Sequence, residues 1–306
     1  MGERQMDELR TADLIFATTS QSNGDMSAPG PVRTETQLYE DIRIGLQSNE
    51  LWKAIYTACR PRGHSFGPVP QFGQLYALWN DNPADPTNFN WDPDQSLATT
   101  VALSRLIHPT SIGFEYSARV IFDYDNRIKQ IIPGPVSGLL AHAYVLAPKR
   151  SWLTDNDVSA LRGLLASFEI ASSNLPPRIQ RALWNHEYAF AVQWIEVRWT
   201  VVATALESLV HTDRRQSTRQ FVDRVTTLAN RVGVSFSQED ARRAYDLRSA
   251  LAHGQGLEPG DDATAALYCR MEEVLRASVR MAIQDESFRD IFRDKDQIRA
   301  VFPLLP

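Results

Sequence analysis

Arg248, Ser249 and His253 stand close together in the sequence: a permanent cation, a small hydroxyl and a side chain that gains and loses a proton near neutral pH. One reaction suits that set. Attack of a ribose 2′-hydroxyl on its own phosphate needs a base for the proton and positive charge for the anionic transition state, and it needs no metal.

The segment that holds these residues reads as one helix. Ser237 and Asp240 form a capping box at its start, and Gly254 after His253 fits a left-handed C-terminal cap. Its apolar residues Ala241, Ala244, Tyr245, Leu251 and Ala252 fall at offsets 0, 3, 4, 10 and 11. Offset 7 is missing from that stripe, and it is Arg248. An arginine facing a core cannot become neutral, so it requires a carboxylate, a cluster of carbonyls, an open groove or a bound anion. Glu207 and Asp246 are the carboxylates at hand. With either of them Arg248 becomes a half-buried ion-pair partner, and His253 an ordinary helix cap. On an ideal helix Arg248 and His253 point about 140° apart, so a single helix does not bring them together. A helix C-terminus does favour a cation, which suits a histidine there to proton transfer. Ser249, four residues before His253, is nearly in line with it.

Around this segment, the residues from Thr154 onward read as helix throughout. Thr154 and Asp157 form another capping box, opening a helix that runs to about Ser172, and Pro177 pre-sets the first turn of the next. From Pro177 to Val210 the apolar residues Leu183, Phe190, Trp194, Val197, Val201, Ala205 and Leu209 keep helical spacing, which predicts one long helix. Arg219–Val232 repeats the pattern and ends at Gly233, and a further helix covers about Ala263 to Gln284. These helices make an all-α bundle over residues 151–306.

The first half differs. Residues 1–34, rich in Ser, Asn, Gly and Asp, read as a flexible leader. Leu38, Ile42, Leu46, Leu51 and Ile55 recur every four or five residues, which predicts helix from Glu35 to Cys59 with a break near Ser48 and Asn49. Arg60 to Pro93 reads as a long loop with scattered aromatics. Val120, Ile121 and Phe122 on one side of Asp125-Asn126, and Ile128 to Ile132 on the other, predict a β-hairpin. Residues 35–150 are therefore expected to form an α+β domain, and they carry no motif that can be attached to chemistry.

Composition narrows the function classes. With 43% hydrophobic and 23% charged residues the chain is globular in type. The absence of a long apolar run or an export-type start points to a soluble, cytoplasmic protein without a membrane partner. The net charge of −5 argues against a non-specific grip on double-stranded DNA. Between Arg198 and Arg248 there is a mild basic excess, nine residues against six acidic ones. Cys59 and Cys269 form no CxxC pair and read as buried thiols. His64, His108, His142, His186 and His211 are dispersed without ligand spacing, and no phosphate-binding glycine loop appears, so neither a metal nor a cofactor is expected.

The run YDLRSALAHG, Tyr245 to Gly254, together with ALESLV, Ala205 to Val210, resembles the hallmark of the Apea-like branch of the HEPN superfamily. The resemblance covers roughly residues 180–285. It implies an all-α, usually dimeric bundle in which arginine and histidine from two protomers line a shared cleft. It also implies a metal-independent endoribonuclease of the toxin or antiphage kind, or a relative that keeps the fold for RNA binding or assembly. On that resemblance Arg248 holds or polarises the scissile phosphate and His253 acts as base or acid. Ser249 takes the polar position where the commoner catalytic form has Asn or Asp. Glu207 matches the spine glutamate, while Tyr245 and Gly254 are supporting positions. The alternative is a non-catalytic dimerisation, interaction or sensor module.

Overall fold

A computed structural model describes residues 10–19, 36–46, 51, 54, 57–58, 74–81, 95–110, 116–123, 125–133, 153–213, 215–257 and 261–305. These fall into two compact units. One takes its described residues from Met1–Val101, Ser111–His142 and Ser151–Arg162, the other from Ala102–Thr110, Ala143–Arg150 and Gly163–Pro306.

The first unit is built on an antiparallel sheet of β1 (Thr11–Thr19), β2 (Thr36–Tyr39), β3 (Ile42–Leu46), β4 (Gln74–Asn80), β5 (Tyr116–Phe122) and β6 (Ile128–Pro133). Their order is β2-β3-β4-β1-β5-β6. The hairpin around Asp125-Asn126 is as expected, with β5 and β6 paired and Asn126 in the left-handed region at φ 58°. Three other expectations are corrected. Residues 11–19 of the supposed leader form β1, which lies between β4 and β5. The supposed loop contains β4, whose Trp79 is buried in the core.

The helix expected from Glu35 is instead the β2–β3 hairpin, turning at Glu40 and Asp41. A spacing of four is also two periods of a strand. Ile42-Arg43-Ile44-Gly45-Leu46 alternates strictly, and Ile42 and Ile44 are buried while Arg43 is less so. The helical character predicted after Asn49 does appear at Leu51, Ala54, Thr57 and Ala58.

One face of this sheet packs Ala12, Leu14, Trp79, Ala118, Val120 and Phe122 with Leu51. On β1, between two of these, Asp13 sits directly opposite Arg119 of β5. Arg119 Nε donates to Asp13 Oδ1 at 2.6 Å and a terminal nitrogen donates to Oδ2 at 2.9 Å, with both side chains almost wholly buried. The two-pronged contact meets the desolvation of both charges and fixes the β1–β5 register.

Helix α1 (Gln95–Ile107) precedes β5, and α2 (Asp155–Ser172) opens on the expected Thr154/Asp157 box. The second unit continues with α3 (Pro177–Ala191), α4 (Ile195–Val210), α5 (Ser217–Arg231), α6 (Gln238–Ala252), α7 (Asp262–Gln284), α8 (Glu286–Asp290) and α9 (Lys295–Val301). The single helix expected from Pro177 to Val210 is broken. Val192 and Trp194 are extended, and Arg178 at the start of α3 reaches Ser208 near the end of α4, so the two helices form an antiparallel hairpin. The break takes Trp194 and Val197 off the expected apolar face, leaving them 68% and 42% exposed. Inside this unit His186 of α3 and Glu272 of α7 form a buried contact at 2.6 Å. Burial alone would raise the Glu272 carboxyl; the His186 hydrogen bond and the Arg276 charge outweigh it and hold the group below its ordinary value.

Removing the Asp13 carboxylate takes the two-pronged charged acceptor away from the buried Arg119 guanidinium. Asp13→Ala is expected to lose about 3–5 kcal/mol in urea unfolding, and a loss under about 1 kcal/mol refutes this account of the pair. For Glu272 the charged form is stabilised by folding, so its contribution is complete above the ordinary glutamate pKa of about 4.3 and lost as pH falls through the lower folded value. Glu272→Gln should therefore be less stable than wild type near neutral pH, with the gap closing as pH falls below the ordinary glutamate value.

Candidate functional site

Helix α6 carries Tyr245, Arg248 and Ser249 and is capped by His253, and both its ends are closed as the sequence requires. Ser237 accepts from the Asp240 N–H at 3.0 Å and Asp240 accepts from the Ser237 N–H at 3.1 Å. At the other end Gln255 N–H donates to Ala250 O and Gly254 N–H to Leu251 O, each at 3.0 Å, with Gly254 at φ 82°. This double contact across a left-handed glycine stops the helix at His253. Gly233 closes α5 in the same way, through Val234 to Ala229 and its own N–H to Asn230.

The apolar stripe of α6 is buried only over its first half. Ala241, Ala244 and Tyr245 are buried, Leu251 is intermediate and Ala252 is exposed. Arg248 thus lies where the stripe emerges at the surface, not inside a core. Its guanidinium donates to Glu207 Oε2 at 2.8 Å, with the side chains 28% and 15% exposed. Of the two carboxylates considered, Glu207 on α4 is the partner. The guanidinium also lies 5.7 Å from the Tyr245 ring centroid, while Arg248 Nε is buried without a hydrogen-bond partner. Tyr245 in turn packs on Phe221 and donates to Ser217 Oγ at 3.0 Å. One edge of the guanidinium is therefore held by a carboxylate and one face by an aromatic ring.

His253 is exposed, and its imidazole makes no hydrogen bond or ion pair among the described residues. Ser249 is half-buried. The structure brings Arg248, Glu207 and Tyr245 together and does not add His253 to them. Within one chain the divergence expected from helical geometry stands.

A second cluster was not found from the sequence. His211 caps α4 in the left-handed region at φ 54°. Its Nδ1 accepts from Arg178 at 3.2 Å, and its Nε2 lies 3.5 Å from both an Arg299 nitrogen and Asp213 Oδ1. Arg299 binds Asp213 at 3.0 Å and Asp296 at 3.2 Å. Arg224, 5% exposed, donates to Val210 O at 3.3 Å and to His211 O. Burial and the Arg178 charge, with Arg299 and Arg224 beside it, depress the His211 imidazole despite Asp213. Thr212 then links the two clusters by donating to Glu207 Oε1 at 3.5 Å. The run His211-Thr212-Asp213-Arg214-Arg215 was the available signal; the approach of Arg178 and Arg299 depends on the α3–α4 hairpin and on α9, which local spacing does not report.

Among the described residues no group of three His, Cys, Asp or Glu side chains is placed to hold a metal ion, and no helix is long and apolar enough to cross a membrane. Cys269 is half-buried and in no disulfide, and Cys59 lies outside the described residues. No protein-family model, no curated protein and no solved structure matches this chain.

Glu207 answers a charge that Arg248 cannot give up. Glu207→Ala is expected to destabilise the helical unit by about 1–3 kcal/mol in thermal or urea unfolding, with Arg248→Met recovering part of that loss in the double variant. Strict additivity of the two substitutions would mean that the contact carries no energy.

Proposed function

We propose that the helical unit is an RNA-binding module of HEPN type that cleaves RNA without a metal ion, working as a homodimer in the cytoplasm. The observation that carries this reading is the end of α6: a half-exposed guanidinium followed one turn later by an exposed, unpartnered imidazole. In that reading His253 removes the 2′-hydroxyl proton, and the 2′-oxygen attacks phosphorus. The bond to the 5′-oxygen breaks as that oxygen takes up a proton, leaving a 2′,3′-cyclic phosphate and a free 5′-hydroxyl. Arg248 stabilises the charge that builds on the phosphoryl oxygens, and Ser249 provides a hydroxyl beside it. Because the two side chains diverge on one helix, His253 of one protomer serves Arg248 of its partner.

The Arg248–Glu207 contact favours a second reading, in which the same motif is a structural clamp and the dimer is a docking module without catalysis. The two are separated by incubating the full chain with mixed RNA in excess EDTA. The enzymatic reading expects cleavage products ending in cyclic phosphate, and a fall of roughly 10²–10⁴-fold in His253→Ala and in Arg248→Ala with helicity intact. An inert wild type that still binds RNA supports the clamp. Cleavage undiminished in His253→Ala removes that residue from the mechanism.

A further inference from the structure

Arginines from three separate helices converge on the C-terminal end of α4. Arg178 comes from the first turn of α3, Arg224 from the middle of α5 and Arg299 from α9, and all three meet His211. Part of their work is structural. Arg178 donates to Ser208 O at 2.5 Å, and Arg224 donates to Val210 O and His211 O, so the last carbonyls of α4 are satisfied.

That work does not use up the charge. A helix C-terminus carries about half a negative charge. Arg178 and Arg224 bring two positive ones, and neither has a carboxylate in ion-pair contact among the described residues. Asp213 and Asp296 are both engaged by Arg299. Arg224 is buried, only 5% exposed, and its Nε has no hydrogen-bond partner. Burial holds the Arg178 and Arg224 guanidinia below their ordinary values, with Arg181 acting in the same direction on Arg178 and Arg299 on Arg224, where Asp213 and Asp223 offset only part of the effect. A cluster of cations that repel one another is relieved by an anion.

The geometry points to an oxyanion subsite formed by Arg178, His211 and Arg299 over Arg224, which takes a phosphate group. Asp213, 44% exposed, is the internal counterion that an arriving phosphate displaces from Arg299; an exposed pair of that kind costs little to open. The subsite is joined to Arg248 through Thr212 and Glu207, and Glu207 lies one helical turn before His211. For the source of the phosphate the inference rests on the RNA reading above. The subsite then holds the backbone phosphate next to the one at Arg248 on a single strand, and Arg178 and Arg299 are positioning residues.

The test uses the full chain with two probes, inorganic phosphate and a single-stranded oligoribonucleotide, and compares wild type with Arg299→Ala and Asp213→Ala. Phosphate should raise the thermal midpoint of wild type above that in chloride at equal ionic strength. Arg299→Ala should weaken phosphate by about tenfold, and Asp213→Ala, which removes the competing carboxylate, should tighten it several-fold. For the oligoribonucleotide, Arg299→Ala should lower the slope of log affinity against log salt by roughly 0.7. Asp213→Ala guards against misreading a folding defect, since a damaged fold does not gain affinity.

Phosphate binding that follows both variants, with no RNA binding by wild type, upholds the subsite for a free phosphate or nucleotide and overturns the RNA reading. RNA binding with an unchanged salt slope in Arg299→Ala, and no phosphate effect on any variant, overturns the subsite and leaves the RNA reading standing.

Discussion

A guanidinium in this chain has no neutral form to retreat to, and the arrangement of the helical unit follows from how each one is answered. Of the 32 basic residues 28 are arginine, so the demand recurs at many positions. Arg105 is met by Glu187 of α3, Arg248 by Glu207 of α4, and Arg276 of α7 reaches Ile107 O at the end of α1. Arg276 also meets Glu272 and Glu273 of its own helix, but each of the three arginines makes one contact to another helix. Every such contact between helices is therefore a constraint on helix placement, and those to Glu187 and Glu207 neutralise a charge as well.

The C-terminal end of α4 is where these constraints meet. Trp199, fully buried on α4, donates from its indole to Ala244 O of α6 at 3.0 Å and packs near Tyr268 of α7 at 6.0 Å between ring centroids. That anchor sets the register in which Glu207 reaches Arg248 two turns further along α4. Ala205, Leu206, Leu209 and Val210 bury the opposite side of the same stretch. With the core side fixed, the polar residues Glu207, His211 and Thr212 have little choice of position, and the arginines of α3, α5, α6 and α9 are drawn to the carboxylate and carbonyls they offer.

Local chemistry was legible in the sequence, and long-range geometry was not. Capping boxes at Thr154/Asp157 and Ser237/Asp240 and the stop at Gly254 act within a few residues, so each could be placed before any fold was known. The anomaly at Arg248 and its partner Glu207 were also readable, because a permanent charge in an apolar stripe must be matched. Period gave false answers where it was ambiguous. Leu38, Ile42 and Leu46 fit a helix by fours and a strand by twos, and only pairing with β4 decides for the strand. Thr11–Thr19 looked featureless because its neighbours in the sheet come from residues 74–80 and 116–121. The turn at Val192–Trp194 contains neither glycine nor proline, so nothing in the spacing announced the α3–α4 hairpin. The arginine cluster at His211 depends on that hairpin, which is why the motif could be read and its surroundings could not.

The same contact that makes a clamp of Arg248 also sets the terms on which it can act. A single phosphate arriving at Arg248 must compete with Glu207 for one guanidinium edge, which costs a charge-assisted hydrogen bond of about 1.5–3 kcal/mol. The phosphate subsite proposed at His211 would change the balance, because His211 lies one turn after Glu207 on α4 and two of its arginines lack a carboxylate partner among the described residues. A polyanion held at both places makes the second engagement effectively intramolecular, at a local concentration that a free phosphate never reaches. On that proposal, two sites that each hold one phosphate weakly would favour a strand over a monomer. If the proposed RNA reading holds, Glu207, which accepts from both Arg248 and Thr212, is the carboxylate that a strand must displace and that a lone anion has less means to displace.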